Sequence, residues 1–282
     1  IRTTRVAAGV SGHSVIVKNI VLPQMSQEEL QESFSWHAEE HIPFDIADVH
    51  LDYELTGKSS ESLHVLMAAC KSDKIANVKQ AIQLAGKQPV VIDVDAFALQ
   101  NCYEVNYQPK PGEIVALLNI GAATMNINIL NGTRSVFARD ASVGGSQYTS
   151  LLQKELGLSF EQAEGVKRGM ALPEGVEPRP IQPIIETVSD ALALEMKKTV
   201  DFYRATAQEG DSTIQKILLA GGGSKLPGLA DFLARRFEIP VEVFDPFRQI
   251  EVDERKFDPD YMREIVPEMA VAVGLALRGV EA

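Results

Sequence analysis

Positive charge is scarce in this chain of 282 residues, which has 27 lysine and arginine residues against 39 aspartate and glutamate residues, a formal net charge of -12. A surface with this excess of negative charge repels nucleic-acid phosphates, so we expect no nucleic-acid partner. An anionic ligand would have to be held locally, by backbone amides and the N-terminal ends of helices.

Cysteines and long apolar runs are also few. Cys70 and Cys102 lie far apart in apolar surroundings and form no C-x-x-C pair, which is typical of reduced core residues in a cytosolic protein. The longest apolar run, Met269 to Leu277, is much shorter than the roughly 20 residues of a membrane-spanning helix. We therefore expect a cytoplasmic protein without a transmembrane segment.

Two common nucleotide motifs are missing, and one metal motif is weak. The chain has no G-x-x-x-x-G-K-[ST] sequence, which argues against a P-loop enzyme. The dinucleotide pattern G-x-G-x-x-G fails at its third glycine, where Leu226 stands. His37 to His41 match the zinc pattern H-x-x-E-H, but Pro43 ends the helix and no third ligand follows at a suitable spacing. We favour a solvated helix face there and predict no metal site.

Strand and helix patterns alternate along the chain, which indicates an α/β fold. One helix is predicted from Ser26, whose hydroxyl can form a capping box with Glu29. A polar loop is predicted between the strand "VEVFD" and a final helix from Val266. The other predicted strands are 5–10, 14–22, 48–56, 63–70, three from Glu113 around an Asn131-Gly132 hairpin, and one before Gly221; the other helices start near Ser72, Ser146, Ser159 and Pro183, with a further helix ending at Phe237.

Two glycine turns suggest a nucleotide cleft. The turn Gly121-Ala122-Ala123-Thr124 joins two predicted strands, so its amides can cup phosphate oxygens while the Thr124 hydroxyl adds a donor. The triplet from Gly221 to Gly223, followed by Ser224, ends a buried strand and would let the backbone approach a flat adenosine. Between the turns, Glu164 and Lys167 lie one helical turn apart, so they could meet ribose hydroxyls and cover an adenine.

The order of these segments resembles the ATPase fold of actin, Hsp70 and sugar kinases. Within that fold, "SVIVKNIVLPQMS", "WHAEEHIPF", "VIDVDAFAL", "VGGSQYT" and "GGGSKLPGL" resemble the PilM family of type IV pilus assembly over nearly the whole chain. The cell-division protein FtsA is similar in style and shares an extra subdomain early in the chain. The resemblance implies two lobes, with the extra subdomain at 1–88, the rest of the first lobe at 89–111 and 266–282, the core of the second lobe at 112–158 and 213–265, and its helical subdomain at 159–212.

The resemblance also implies a site for ATP and Mg²⁺. It assigns Gly121, Ala122 and Thr124 to the second phosphate loop, Gly144 and Gly145 to the cleft wall, Glu164 and Lys167 to the ribose and base, and Gly221, Gly222, Gly223 and Ser224 to the adenosine loop. Asn119 stands where related ATPases usually carry an aspartate that orients magnesium. The family's first phosphate loop, an Asp-Ile-Gly-Ser type turn, has no counterpart in the sequence, and we expect it in a segment preceding Ile1. For both reasons we expect weak nucleotide binding and slow or absent hydrolysis.

The implied partner is the short cytoplasmic tail of PilN, a membrane protein, which the extra subdomain and its neighbour grip in the family. That contact would hold the chain at the inner membrane, with other pilus platform or motor proteins as further partners and twitching motility as the process. Two alternatives use the same fold. A small-molecule kinase would need a catalytic carboxylate facing a substrate pocket, and an FtsA-like filament protein should have a membrane-targeting amphipathic helix at its C-terminus, which "LRGVEA" does not resemble.

Overall fold

A computed structural model describes residues 3–176, 181–206, 213–253 and 255–279 of the chain. Within these ranges, no helix is both long enough and apolar enough to cross a bilayer. Residues 280–282, the end of the segment "LRGVEA", lie outside the described residues.

Strands and helices alternate as predicted. The strands are β1 (Arg5–Val10), β2 (Val15–Pro23), β3 (Val49–Lys58), β4 (Ser62–Lys71), β5 (Gln88–Val94), β6 (Ile114–Ile120), β7 (Met125–Asn131), β8 (Arg134–Ala141), β9 (Lys216–Ala220) and β10 (Val241–Val243). The helices are α1 (Gln27–Glu39), α2 (Ser72–Leu84), α3 (Asp95–Tyr107), α4 (Gly145–Leu156), α5 (Phe160–Lys167), α6 (Gln182–Thr206), α7 (Leu229–Phe237), α8 (Pro259–Ile265) and α9 (Ala270–Leu277). Short 3-10 helices lie at Ile46–Asp48, Gly222–Lys225 and Val266–Met269.

A three-stranded antiparallel sheet with the order β2-β4-β3 forms the early part of the chain. The predicted capping box is present at the start of α1: Ser26 Oγ accepts a hydrogen bond from the Glu29 amide, and Glu29 accepts one from the Ser26 amide. Leu30 and Phe34 on α1 pack with alternate residues of β4, including Val65 and Met67. One face of this sheet is therefore buried under α1, and the other face is available for a different neighbour.

β1 and β5 form a separate pair of parallel strands, from Arg5 opposite Gln88 to Val10 opposite Val94. The predicted subdomain boundary at residue 88 falls at the start of β5 and so divides this hydrogen-bonded pair. β1 pairs with β5 and not with β2, β3 or β4. The division of the chain into subdomains stays a prediction.

The second half of the chain forms a five-stranded sheet with the order β10-β9-β6-β7-β8. β6 pairs parallel with β9 and antiparallel with β7. Its residues are buried on both faces, because Ile114, Ala116 and Leu118 pack with α6 while Val115 and Leu117 pack with α3. α6, the helix predicted near Pro183, buries an apolar stripe on this sheet: Val188, Leu192, Met196, Val200 and Tyr203.

The prediction of a loop throughout the segment after β10 was wrong, because this segment contains α8. Asp258 caps α8 by accepting hydrogen bonds from the amides of Asp260 and Tyr261, and Pro259 occupies the first helical turn. None of its seven residues is buried, so the sequence has no apolar period there from which a helix could be predicted.

Candidate functional site

The turn between β6 and β7 packs backbone against backbone on the start of α4. The Gly145 amide donates to the Gly121 carbonyl at 2.9 Å, and the Ser146 amide donates to the Ala122 carbonyl at 2.8 Å. A Cβ atom on Gly144 would lie 2.6 Å from both of those carbonyl oxygens. Only glycine therefore fits at position 144 without a shift of the turn, and the amides of Gly145 and Ser146 are already paired within the protein.

Lys167 and Glu164 form an ion pair within α5, and both contact Thr149 on α4. Lys167 Nζ lies 2.5 Å from Glu164 Oε1 and 3.0 Å from Thr149 Oγ1, and it donates to the Gly145 carbonyl at 3.4 Å. Thr149 also donates to Glu164 Oε1. Burial raises the pKa of Glu164, but the hydrogen bonds from Lys167 and Thr149 and the charges of Lys167 and Arg168 outweigh it, so this pKa lies below its ordinary value. Glu164 is thus held in its ionised form beside the glycine turn.

The glycine triplet after β9 turns back over the end of β6. Gly221 has a φ of 82°, a left-handed conformation that favours glycine, and its amide donates to the Pro267 carbonyl at 2.8 Å. A Cβ atom on Gly223 would lie 2.3 Å from Ile120 Cγ2. Ser224 is buried, and its hydroxyl donates to the Gly221 carbonyl at 2.7 Å. Ser224 therefore stabilises the loop from inside.

These elements enclose a cleft of about 150 Å³, which we call the glycine cleft. Of the residues predicted from the sequence, those that line it are Gly121, Ala122, Gly145, Glu164, Lys167, Gly222 and Gly223. The remaining predicted residues do not line it; they are Asn119, Thr124, Gly144, Gly221 and Ser224. The sequence reasoning missed five lining residues, namely Tyr148, Arg168, Lys225, Leu226 and Glu268.

The missed residues differ in the signal that could have identified them. Arg168 and Lys225 directly follow the predicted residues Lys167 and Ser224, so positive charge next to each motif was available in the sequence. Glu268 gives no local signal, because it reaches the cleft only where the chain returns to pair with Lys225, at 2.8 Å.

The glycine cleft gathers positive charge in an acidic protein. Lys167, Arg168 and Lys225 line it, together with the two carboxylates Glu164 and Glu268. Each carboxylate is engaged by a lysine at hydrogen-bond distance. The arrangement suits a ligand that combines a polar, anionic part with a flat apolar part, since backbone edges and the Tyr148 and Leu226 side chains complete the wall.

Asn119 lies behind this cleft in a series of hydrogen bonds. Its Nδ2 donates to Asn126 Oδ1 at 2.8 Å, and Asn126 Nδ2 donates to Asp140 Oδ1 at 2.7 Å. The other oxygen of Asp140 accepts from the Gly12 amide in the turn after β1. The Asn119 amide group is thus a member of a polar ladder that joins the five-stranded sheet to the β1–β2 turn. Among the described residues, no group of three or more His, Cys, Asp or Glu side chains is placed to hold a metal ion.

A second cleft, of about 410 Å³, lies between the three-stranded sheet and the β5–α3 unit, and we call it the inter-sheet cleft. Leu66, Ala68 and Cys70 line it from the face of β4 that points away from α1. Asp93 on β5, Gln100 on α3 and Arg278 after α9 line the opposite side. The cleft thus separates the predicted extra subdomain from its neighbour.

Comparison with known proteins matches the chain to one family. The model of the family "Type IV pilus assembly protein PilM" covers residues 1–280. A solved PilM-PilN type IV pilus biogenesis complex is 32% identical to the chain with a TM-score of 0.86, and the match covers 100% of this chain and 81% of the other.

More distant likenesses concern the fold alone. MreB5 of Spiroplasma citri bound to AMPPNP has a TM-score of 0.54 at 12% identity, over 75% of this chain and 66% of that one. The same protein bound to ADP matches with the same TM-score at 13% identity. The fold is therefore actin-like, as the sequence resemblance implied, while the correspondence of the three-stranded sheet to the extra subdomain of FtsA stays a prediction.

Proposed function

The chain belongs to the PilM family of type IV pilus assembly proteins, and from this premise we propose that it is a cytoplasmic adaptor that docks on the cytoplasmic tail of a PilN-like membrane protein. In this proposal the chain binds ATP with Mg²⁺, and its nucleotide state sets its affinity for the tail. The observation that carries the proposal is the similarity over the full chain to a PilM that is complexed with PilN. The family match favours this function over a small-molecule kinase or an FtsA-like filament protein.

The glycine cleft is the proposed nucleotide site. The exposed turn at Ala122 and Ala123 and the cations Lys167, Arg168 and Lys225 would hold the nucleotide. Because both carboxylates of the cleft are paired with lysines, Mg²⁺ would be held mainly by the phosphates themselves. When bound, the ion would neutralise phosphate charge.

The size of the cleft implies a conformational step. About 150 Å³ is less than the roughly 300–1,000 Å³ of typical small-molecule sites. Nucleotide entry therefore requires the cleft walls to separate, and the elements that form these walls must move with them. One wall includes Glu268, next to the start of α9.

The segment from Pro267 to Arg278, which contains α9, connects the two clefts physically. At one end it accepts the Gly221 amide and pairs Glu268 with Lys225, both at 2.8 Å. At the other end Arg278 Nε lies 3.1 Å from Asp93 Oδ2 in the inter-sheet cleft. We name this segment the α9 arm. Since a helix is stiff along its axis, movement of the glycine loop would shift Arg278, and ATP would change tail binding by shifting the population of arm positions.

The test is isothermal titration calorimetry with a synthetic peptide of the cytoplasmic tail of PilN from the same organism. We expect the tail to bind, a scrambled tail not to bind, and the tail affinity to change at saturating Mg-ATP. Failure of the tail to bind in every nucleotide state would refute docking. Equal tail affinity with and without bound nucleotide would refute only the modulation.

A further inference from the structure

The outer face of α1 carries Trp36, the single tryptophan of the chain. Leu30, Phe34 and Ala38 supply the contacts of α1 with the three-stranded sheet. Trp36 lies on the opposite side of the helix and is 76% exposed, with the edge of the His37 ring beside it at 6.4 Å between centroids. An exposed tryptophan that the core does not use is typical of the energetic centre of a protein interface.

Acidic side chains surround Trp36. At 3.6 residues per turn, the exposed glutamates within about 80° of it around the helix axis are Glu28, Glu29, Glu32, Glu39 and Glu40. Among the described residues, only Glu29 of this set has a partner for its carboxylate, the Ser26 amide of the capping box. α1 itself contains no lysine or arginine, and Lys18 Nζ on β2 donates instead to the His41 carbonyl at 2.8 Å. We call Trp36 and these glutamates the acidic tryptophan face.

Several of these glutamates are placed where they weaken α1. Glu28 and Glu32 are four residues apart, so their like charges repel along the helix surface. Glu39 and Glu40 stand at the C-terminal end, where the helix dipole is itself negative. Departures from local preference of this kind are expected at functional sites, and a cationic partner would relieve both repulsions.

The charge of the acidic tryptophan face decides which partner fits. Nucleic acids and anionic membranes carry the same sign of charge and would be repelled. A lysine or arginine side chain matches both components of the face, because its cationic group can pair with a glutamate and lie over the tryptophan ring. Glu32, Trp36 and Glu40 follow one another at four-residue intervals, so they form a ridge that can pack into the groove of a second helix.

We propose that the acidic tryptophan face is a docking site for a basic helix of a protein partner, with Trp36 as the apolar anchor. Basic residues on that helix would meet Glu32 and Glu40 on the two sides of Trp36, each about 6 Å away along the helix axis. The face contributes no residue to the glycine cleft or to the inter-sheet cleft. This contact is therefore separate from tail docking and from nucleotide binding.

The first experiment uses the fluorescence of Trp36, which reports on this contact alone because the chain has no other tryptophan. The probe is a synthetic alanine-based helix with lysines four residues apart and leucines between them, titrated at physiological salt. A matched peptide carries glutamate in place of each lysine. We expect the basic helix to shift the emission of Trp36 to shorter wavelength in a saturable manner and the acidic helix to have no effect. Absence of a shift with the basic helix would overturn the proposal.

The second experiment separates this face from the overall negative charge of the protein. Glu32→Lys combined with Glu40→Lys should weaken binding of the basic helix about tenfold or more. The matched control combines Glu186→Lys with Asp190→Lys, which makes the same charge change at two exposed positions four residues apart on α6. We expect this control to change the affinity less than about twofold. Equal weakening by both pairs would assign the binding to net charge and overturn the site.

The role of Trp36 as an anchor is tested by Trp36→Ala, with the affinity measured by calorimetry. We expect binding of the basic helix to weaken about fivefold or more, while the urea midpoint stays that of wild type because the side chain is exposed. An unchanged affinity would show that the tryptophan takes no part, and would overturn the proposed anchor.

Two other occupants of this face give different results. A shift of Trp36 emission by phosphatidylcholine vesicles, with no effect of the basic helix, would identify a membrane surface. A shift that follows protein concentration alone, with dimers in sedimentation equilibrium, would identify a second copy of the chain. Either result would overturn docking of a basic helix.

Discussion

At the scale of single residues, the Asn119 side chain is held by its hydrogen bond to Asn126. We predict that Asn119→Asp lowers the free energy of unfolding by about 1–3 kcal/mol, because a carboxylate would face the acceptor Asn126 Oδ1. Rotating the Asn126 amide would not help, since its Nδ2 already donates to Asp140. Urea denaturation monitored by circular dichroism measures the change.

The control for this substitution is Asn77→Asp, which makes the same chemical change at an exposed position of α2 and should alter stability by less than about 0.5 kcal/mol. Equal stability of Asn119→Asp and wild type in the absence of Mg²⁺ would mean that the ladder does not constrain position 119.

Asp95 provides a pH-dependent prediction. The pKa of Asp95 lies above its ordinary value of 3.8, mainly because burial disfavours the charged form. The hydrogen bond from Ser11 lowers this pKa, the charge of Asp140 raises it, the charge of Lys74 lowers it, and the charge of Asp93 raises it. The folded state thus holds this proton more tightly than the unfolded state, so the contribution of Asp95 to stability falls as pH rises from about 4 through the folded pKa. We predict that the stability of Asp95→Asn relative to wild type increases with pH over that window. Urea midpoints measured at intervals between pH 4 and 7.5 test this, and a difference that decreases with pH would contradict it.

Residue roles were predictable from the sequence only where a local motif determines them. The turn from Gly121 and the triplet from Gly221 can be recognised in the sequence because they are rich in glycine. Seven of the twelve predicted residues line one cleft. Asn119 and Ser224 could not be assigned in this way, because no local motif shows that their side chains point to Asn126 and to the Gly221 carbonyl. A side chain's direction depends on strand register and loop conformation, which one sequence does not specify.

At the scale of elements, the close packing of α9 on α3 depends on Gly274, because glycine has no side chain. A Cβ atom on Gly274 would lie 1.7 Å from the Ala98 carbonyl oxygen. We predict that Gly274→Ala forces the helices apart and destabilises the protein by about 1–3 kcal/mol, despite the better helix propensity of alanine. Thermal and urea unfolding measure it.

Gly279→Ala is the matched control, since a Cβ atom there would make an ordinary 3.5 Å contact with the Ala276 carbonyl. We expect it to leave stability nearly unchanged. If the two variants were equally stable, the close approach of α3 and α9 would not limit the fold.

Elements were predictable in proportion to their burial. The apolar run of β4 and the long stripe of α6 reflect faces that must be buried, so their patterns were recognisable in the sequence. α8 has no buried residue, and only its cap Asp258 and Pro259 mark it. The pairing of β1 with β5 across some eighty residues, with Arg5 opposite Gln88, could not be predicted, because the pattern of a strand shows its buried faces and not its partner.

At the scale of the whole molecule, the two clefts share the α9 arm, and this predicts that their ligands are coupled. Glu268→Gln would weaken the pairing with Lys225 at the glycine cleft, while the contact of Arg278 with Asp93 at the far end remains. We therefore predict that this variant keeps the tail affinity of nucleotide-free wild type but loses at least half of the free-energy change that Mg-ATP produces in tail binding.

Thermodynamic linkage makes this prediction strict. If ATP alters tail affinity by a given factor, the tail must alter ATP affinity by the same factor, in wild type and in the variant alike. Four calorimetric titrations of each protein, tail and Mg-ATP each alone and in the presence of the other, determine both factors. A coupling factor that is unchanged in Glu268→Gln would show that the signal does not pass through the contact of Glu268 with Lys225. A variant that also loses affinity for the tail in the absence of nucleotide would show that the arm shapes the inter-sheet cleft at rest, and not only when the glycine cleft opens.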